Sequence, residues 1–248
     1  MRLSRTWAVW LWTAQAVTGL LLVAYIIIHT LDNAAILISP EAYEAMLDIW
    51  HGWLPGWFYV LLVIGLTGIF LIHTMNGIRI ASKPYRDIDI SWKQNAMLKH
   101  SGTFFWYAQV ISGSAIAIFG IWHLIVQHGN VATTTAAQSM ERVSPTVFMM
   151  YLLFLLAVMF HSFNGIRSVI IKFGIMTDKA KEGILVSVMA FLFIVFFIVG
   201  AMSMAKFIPN PDQAAIGGNN QAHSSASIEE SKVPMPASEL PGLTGGGE

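Results

Sequence analysis

The chain contains no cysteine, and this absence removes three classes of chemistry at once. It excludes a disulfide-stapled secreted scaffold, zinc–thiolate sites and iron–sulfur clusters ligated by this chain. Charge is also scarce. Only 11% of residues are charged, against about 25% in a typical soluble domain. The 14 basic and 14 acidic residues cancel, which excludes a nucleic-acid binder that works by bulk positive charge. Strand-period alternation is sustained nowhere, so a β-barrel is not expected. What the chain has in excess is apolar sequence, 55% of its 248 residues, and it carries eight histidines among few polar residues.

A helix needs roughly 20 apolar residues to cross a bilayer at about 1.5 Å per residue. Five stretches qualify, approximately Trp7–Leu31, Trp57–Ala81, Ser101–Gln127, Thr146–Ile171 and Ile184–Phe207. The first is too long for a signal-peptide core and carries Trp7, Trp10, Trp12 and Gln15, so it reads as a retained span. Basic residues set the orientation. The N-terminus, the segment between spans two and three and that between spans four and five, counted with the flanking span ends that carry Arg79 and Arg167, hold 11 of the 14 basic residues. That side is expected to be cytoplasmic, with the N-terminus inside and the C-terminus periplasmic. The first outer loop carries Asp32, Glu41, Glu44 and Asp48 without Lys or Arg, and Trp50, Trp53 and Trp57 fit an interfacial belt there. The expected organisation is a membrane domain over residues 1–208. A polar tail at 209–248, rich in Gly, Pro and Ser, has too little apolar surface to fold alone.

Self-comparison exposes a duplication. Span one carries Trp12, Ala14, Gln15, Thr18, Gly19 and His29; span three carries Trp106, Ala108, Gln109, Ser112, Gly113 and His123. Both follow W-x-A-Q-x-x-[ST]-G-x9-H. Spans two and four share H-[ST]-x-N-G-I-R, as His73–Arg79 and His161–Arg167. Mates run in the same direction, which implies a pseudo-two-fold axis along the membrane normal. Depth follows from landmarks. His29 and His123 each lie 24 residues past a basic residue on the inner side, Arg5 and Lys99. His73 and His161 each lie 16 residues past an outer landmark, Trp57 and Pro145. Two histidine pairs at two depths are therefore expected, each pair across the axis.

An ionisable residue inside a bilayer is costly and signals function by default. A single His can hydrogen-bond a neighbouring helix. Four in two matched pairs point instead to bis-imidazole ligation of two haems in a four-helix bundle. Gly77 and Gly165, one turn past the inner pair, suit either close approach of a macrocycle or ordinary small-residue packing. Gly19 and Gly113, roughly 15 Å deeper than the outer pair, carry the same two readings. Arg79 and Arg167 suit propionates or lipid head groups. Gln15, Trp12, Gln109 and Trp106 suit propionates, quinone or interfacial anchoring. His51, His100 and His128 read as interfacial, and His223 as solvated. The scattered positions give no compact zinc cluster.

Five spans with histidines on the first four, together with H-x-x-N-G-I-R, resemble the diheme cytochrome b subunit of succinate:quinone oxidoreductases, including quinol:fumarate reductases. The resemblance covers about residues 1–207. The gamma subunits of nitrate reductases, whose ligands lie on two spans, do not match. The resemblance implies an all-α membrane protein, a four-helix diheme bundle with a fifth, peripheral helix. It implies two haem b, held by His29 with His123 on the outer side and by His73 with His161 on the inner side. It suggests Gln15, Trp106 and Lys172 as propionate partners of the inner haem and Arg142 of the outer. It implies a flavoprotein with FAD and an iron–sulfur subunit as cytoplasmic partners, quinone (by analogy menaquinone) as substrate, and a quinone-reactive subunit of a multisubunit oxidoreductase in the cytoplasmic membrane. An acidic residue of the first outer loop takes the quinol proton in relatives. Glu41, Glu44, Asp48 and His51 are the candidates, because quinol oxidation must release protons to a group able to accept them. One departure stands out: some diheme members carry Glu two residues before the span-four ligand, where this chain has Met159. Anchoring of a hydrogenase, formate dehydrogenase or heterodisulfide-reductase-like complex, or a transporter or anchor without haem, remain the alternatives.

Overall fold

The computed structural model describes residues 5–51, 56–82, 93, 101–128, 144–176 and 178–208. The tail at 209–248, Arg142, His100, His223 and most of the segment between spans two and three fall outside these residues. Six α-helices are described: α1 Arg5–Ala34, α2 Pro40–His51, α3 Gly56–Ala81, α4 Ser101–His128, α5 Pro145–Lys172 and α6 Lys179–Lys206, with a 3-10 turn at Ala35–Leu37. All but α2 are long and apolar enough to cross a membrane, so the chain is an all-helical multi-pass membrane protein. Side chains such as Ile118 and Ile125 are about 70% exposed. Such exposure suits an apolar surrounding, because in water each side chain would forgo the free energy of burial.

Local chemistry sets the helix ends. Ser144 caps α5, its hydroxyl accepting from Val147 N–H at 3.3 Å, and Pro145 occupies the first helical position. The other end of α5 closes through Gly174, whose φ of +70° suits a residue without Cβ. There the Ile175 N–H reaches the Ile170 carbonyl and the Gly174 N–H the Ile171 carbonyl, satisfying two terminal acceptors.

The duplicated halves are α1 with α3 and α4 with α5. Each half packs internally more closely than it packs on the other half. Small residues bring helices together: a Cβ on Gly120 would meet the Phe70 ring at 3.1 Å, joining α4 to α3. Helix α6 has no repeat mate. It lies against α5 and α1, with Phe193 and Phe196 against Phe160 and Phe163. Gly200 admits Leu155 at 3.0 Å. The opposite face of α6, including Ile184, Phe191 and Ile198, is exposed.

The basic residues Arg79, Lys172 and Lys179 stand at one end of the bundle, and α2 lies at the other. The sequence reading treats the α2 region as a loop, whereas it forms an amphipathic helix. Tyr43 is buried, with Met46 and Leu47 partly buried against Ala35, Ile36 and Phe207, and Tyr43 meets the Phe207 ring edge-on at 5.2 Å. Ser39 accepts from Ala42 N–H at 3.1 Å and starts the helix.

Candidate functional site

A cavity of 1490 Å³ runs between the two halves from the basic end, where Lys172 and Glu182 line it, to Tyr25 and Leu124. This exceeds the roughly 300–1,000 Å³ of ordinary small-molecule pockets. His73 of α3 and His161 of α5 line it and face each other across the axis, ring centroids 6.2 Å apart. His29 of α1 and His123 of α4 face each other at 6.3 Å, one turn past Tyr25.

The inner pair sits in two sockets of the same construction. The ring of His73 lies on Gly19: a Cβ there would stand 2.9 Å from its Cε1. The ring of His161 lies on Gly113, with the same 2.9 Å. Beside each glycine a hydroxyl meets the imidazole. Thr18 Oγ1 is 3.1 Å from His73 Nδ1, and Ser112 Oγ is 3.2 Å from His161 Nδ1. Each hydroxyl also donates to the carbonyl one turn back, Thr18 to Ala14 at 2.6 Å and Ser112 to Ala108 at 2.7 Å. A carbonyl has no proton, so the hydroxyl proton is committed there and the oxygen presents lone pairs to Nδ1. The Nδ1 atoms therefore carry the protons. His161 Nδ1 also donates to the Gln109 carbonyl at 3.2 Å. Gln15 Nε2 donates to His73 Nε2 at 3.2 Å, which assigns the same tautomer from the other side of the ring.

The remaining glycines serve the glutamines. A Cβ on Gly77 would meet Gln15 Nε2 at 3.5 Å, and one on Gly165 would meet Gln109 Nε2 at 3.4 Å. Gln109 Nε2 donates to the His161 carbonyl at 3.1 Å, and its Oε1 accepts from Asn164 Nδ2 at 2.7 Å. Gln15 Oε1, by contrast, is buried without a partner. At the basic end Lys172 Nζ lies 4.0 Å over the Trp12 ring, and Trp106 packs edge-on against Tyr107 while lining the cavity.

The two arginines of the repeat differ. Arg79 is exposed. Arg167 is buried over the Phe105 ring at 4.6 Å and pairs with Glu182 Oε1 at 2.7 Å, although its Nε has no partner. The Glu182 contact is absent from the sequence reading because α6 lies outside the duplication.

Around the outer pair, Tyr25 stacks on His29 at 5.5 Å, and the Asn33 amide lies 3.4 Å from His29 Nε2. Tyr151 Oη is 3.3 Å from His123 Nδ1. Glu41, Glu44 and Asp48 lie on the exposed face of α2, opposite Tyr43. Hydrogen bonds from Ser39 and from its own backbone hold the Glu41 carboxyl below the usual carboxylate range. His51 ends α2, but its side chain, like Arg142, lies outside the described residues.

The donor set tests what this arrangement can hold. Among the described residues no cluster of three or more His, Asp or Glu forms, so an ion ligated by protein alone lacks a ligand shell. Two imidazoles suffice when a macrocycle supplies the equatorial ligands. Two metal–imidazole bonds of about 2 Å each, with both ring radii added, place centroids roughly 6 Å apart, which matches both pairs. The orphaned Gln15 Oε1 and the glycine sockets give the inner pair a cradle in addition to its ligands.

A family model described as the succinate dehydrogenase/fumarate reductase transmembrane subunit matches residues 2–82 and 90–201. The chain is 26% identical over 200 residues to a fumarate reductase cytochrome b subunit of Helicobacter pylori (strain ATCC 700392 / 26695), covering 78% of each chain. The corresponding subunit of strain J99 is 26% identical over 176 residues, covering 68% of this chain and 69% of that one. A succinate dehydrogenase 2 membrane subunit of Mycobacterium tuberculosis is 31% identical over 71 residues, 29% of this chain and 49% of that one.

Proposed function

The chain belongs to the succinate dehydrogenase/fumarate reductase transmembrane subunit family, and from that premise we propose that it is a diheme, quinone-reactive anchor. Haem b bound at each histidine pair would supply reversible one-electron transfer through the apolar layer. His73 and His161 hold the inner haem, and His29 and His123 the outer. The observation that carries this reading is the presence of two facing imidazole pairs on one bundle. Gly19 touches His73, and His29 lies ten residues further along the same helix, so the pairs are separated by roughly 15 Å in depth.

The protein residues hold, orient and insulate. The glycine sockets seat the inner rings, the hydroxyls bond their Nδ1 atoms, and a mostly apolar cavity wall surrounds them, while the redox chemistry belongs to the cofactors. Lys172, Trp106 and Gln15 line the basic end of the cavity, where propionates need polar partners. Glu44, Asp48 and His51 are the proposed candidates for taking the quinol proton. The lowered pKa of Glu41 makes it a poor acceptor near neutral pH. Menaquinone is the proposed substrate, with quinol oxidised at the α2 end. The basic end faces the cytoplasm, where a flavoprotein carrying FAD and an iron–sulfur subunit dock. The relatives named fumarate reductase cytochrome b subunit support this assembly over a hydrogenase or formate dehydrogenase anchor. Position 159 is occupied by the fully buried Met159 and so offers no carboxylate, and electron transfer through this subunit is proposed to be electrogenic.

The test is to purify the native complex, identify the subunits that accompany the chain, and assay quinol:fumarate and succinate:quinone activity. A flavoprotein and an iron–sulfur subunit with either activity are expected. Co-purification with a hydrogenase or formate dehydrogenase would overturn the reading.

A further inference from the structure

Why does each half of the duplication carry a hydroxyl residue directly before its glycine? A hydroxyl in an apolar helix commonly bonds only the carbonyl one turn back. Here Thr18 and Ser112 do that and also meet the Nδ1 of a histidine on the neighbouring helix. The glycine that follows brings the ring edge within 2.9 Å of where a Cβ would stand. The pair Thr18–Gly19 and the pair Ser112–Gly113 therefore act as one socket each, in which glycine sets the position of the ring and the hydroxyl bonds its Nδ1, joined at His161 by the Gln109 carbonyl.

We propose that Thr18 and Ser112 are positioning residues that fix the tautomer and the electron-donating strength of the inner imidazoles, and thereby lower the reduction potential of the haem they hold. This rests on the reading that His73 and His161 ligate that haem. With Nδ1 protonated, Nε2 carries the ring's lone pair, which at His73 accepts from Gln15 Nε2 at 3.2 Å, a bond that ligation of the metal would have to replace. The N–H···O–H···O=C chain polarises along its length, because each hydroxyl is itself bonded at 2.6 or 2.7 Å to a carbonyl. A hydrogen bond accepted from Nδ1–H makes the imidazole more basic. A more basic ligand favours the oxidised metal, and hydrogen bonding beyond the ligands is an established lever on haem potential. The outer pair is built otherwise. The Asn33 amide nitrogen beside His29 can only donate, and His123 meets a phenol, Tyr151. Because Thr18 and Ser112 meet the rings of His73 and His161, the effect of removing their hydroxyls should be confined to one haem.

The test uses Thr18→Val and Ser112→Ala, which remove a hydroxyl, and Thr18→Ser and Ser112→Thr, which keep it. Each is made in the full complex and read by haem stoichiometry, optical redox titration and low-temperature electron paramagnetic resonance. The expected result is two haems per chain in every variant. One midpoint potential moves upward in Thr18→Val and in Ser112→Ala, with its resonance position altered, and moves further when the two are combined. The hydroxyl-keeping variants match the parent. Should Thr18→Val lose a haem that Thr18→Ser retains, the hydroxyl role is supported; loss in both overturns it. Unmoved potentials in Thr18→Val and Ser112→Ala, with both haems present, overturn this proposal alone. A parent complex without haem overturns the reading beneath it.

Discussion

Gly19→Ala and Gly113→Ala probe the inner site with the smallest possible change, one methyl group. The new Cβ would stand 2.9 Å from Cε1 of His73 or His161, and within 3.5 Å of Nδ1. Carbon atoms in contact sit about 3.5–4.0 Å apart, so the ring must retreat by about 0.6 Å or more. The backbone behind the glycine is an α-helix with its ladder intact and cannot yield, and Thr18 or Ser112 holds the ring from the side. Metal–ligand distances tolerate only about 0.2 Å, so a retreat about three times larger breaks the bond. The fold should survive. Overpacking costs about 1–3 kcal/mol, and Ala gains back about 0.8–1.0 kcal/mol over Gly in a helix. Each variant, purified as the complex, should keep its helical circular dichroism and fall from two haems per chain to one by pyridine haemochrome. Gly65→Ala is the control, because its Cβ meets nothing within 4 Å, and it should keep two. Two haems with an unchanged spectrum in Gly19→Ala would refute the socket reasoning.

Other expectations follow from the same geometry. His29→Ala and His73→Ala should each remove a different haem, distinguishable by midpoint potential; loss of the same haem would contradict the pairing. Glu182→Gln should lower thermal stability in detergent by about 1 kcal/mol, a value discounted because Glu182 is 42% exposed, without changing haem content. Glu41→Gln should leave quinol oxidation within about twofold of the parent near neutral pH, since a carboxylate with a lowered pKa is a weak proton acceptor. By linkage, the contribution of Glu41 to folding is present above its ordinary pKa and is lost only as pH falls through the lowered one. Acidification from neutral towards the ordinary pKa should therefore leave this contribution intact in a pH-stability series.

The spans were legible because the bilayer imposes their length and composition, and the duplication was legible because its landmarks repeat in register. What sequence could not supply was rotation about each helix axis. Self-comparison places Gly19 near the depth of the inner pair, but it does not say that the glycine faces an imidazole rather than a macrocycle. Gly77 shows the converse, since it faces Gln15. Thr18 and Ser112 were visible in the motif, yet their second bond exists only once α3 and α5 are packed. Arg79 and Arg167 look equivalent in the repeat, and only α6, which has no mate, separates them through Glu182. Helix α2 had a readable signal in Ser39–Pro40 and in Tyr43, Met46 and Leu47, which share one face. Its acidic residues drew the eye to a loop instead, and the structure puts them on the exposed side of that helix.

The central claim is that two histidine pairs on one bundle each hold a haem. The most direct measurement is a redox titration of the purified native complex with haem quantified per chain. The account predicts two haems per chain, both low-spin with two imidazole ligands, titrating as separate one-electron steps. A single haem, or none, in well-folded protein would contradict it.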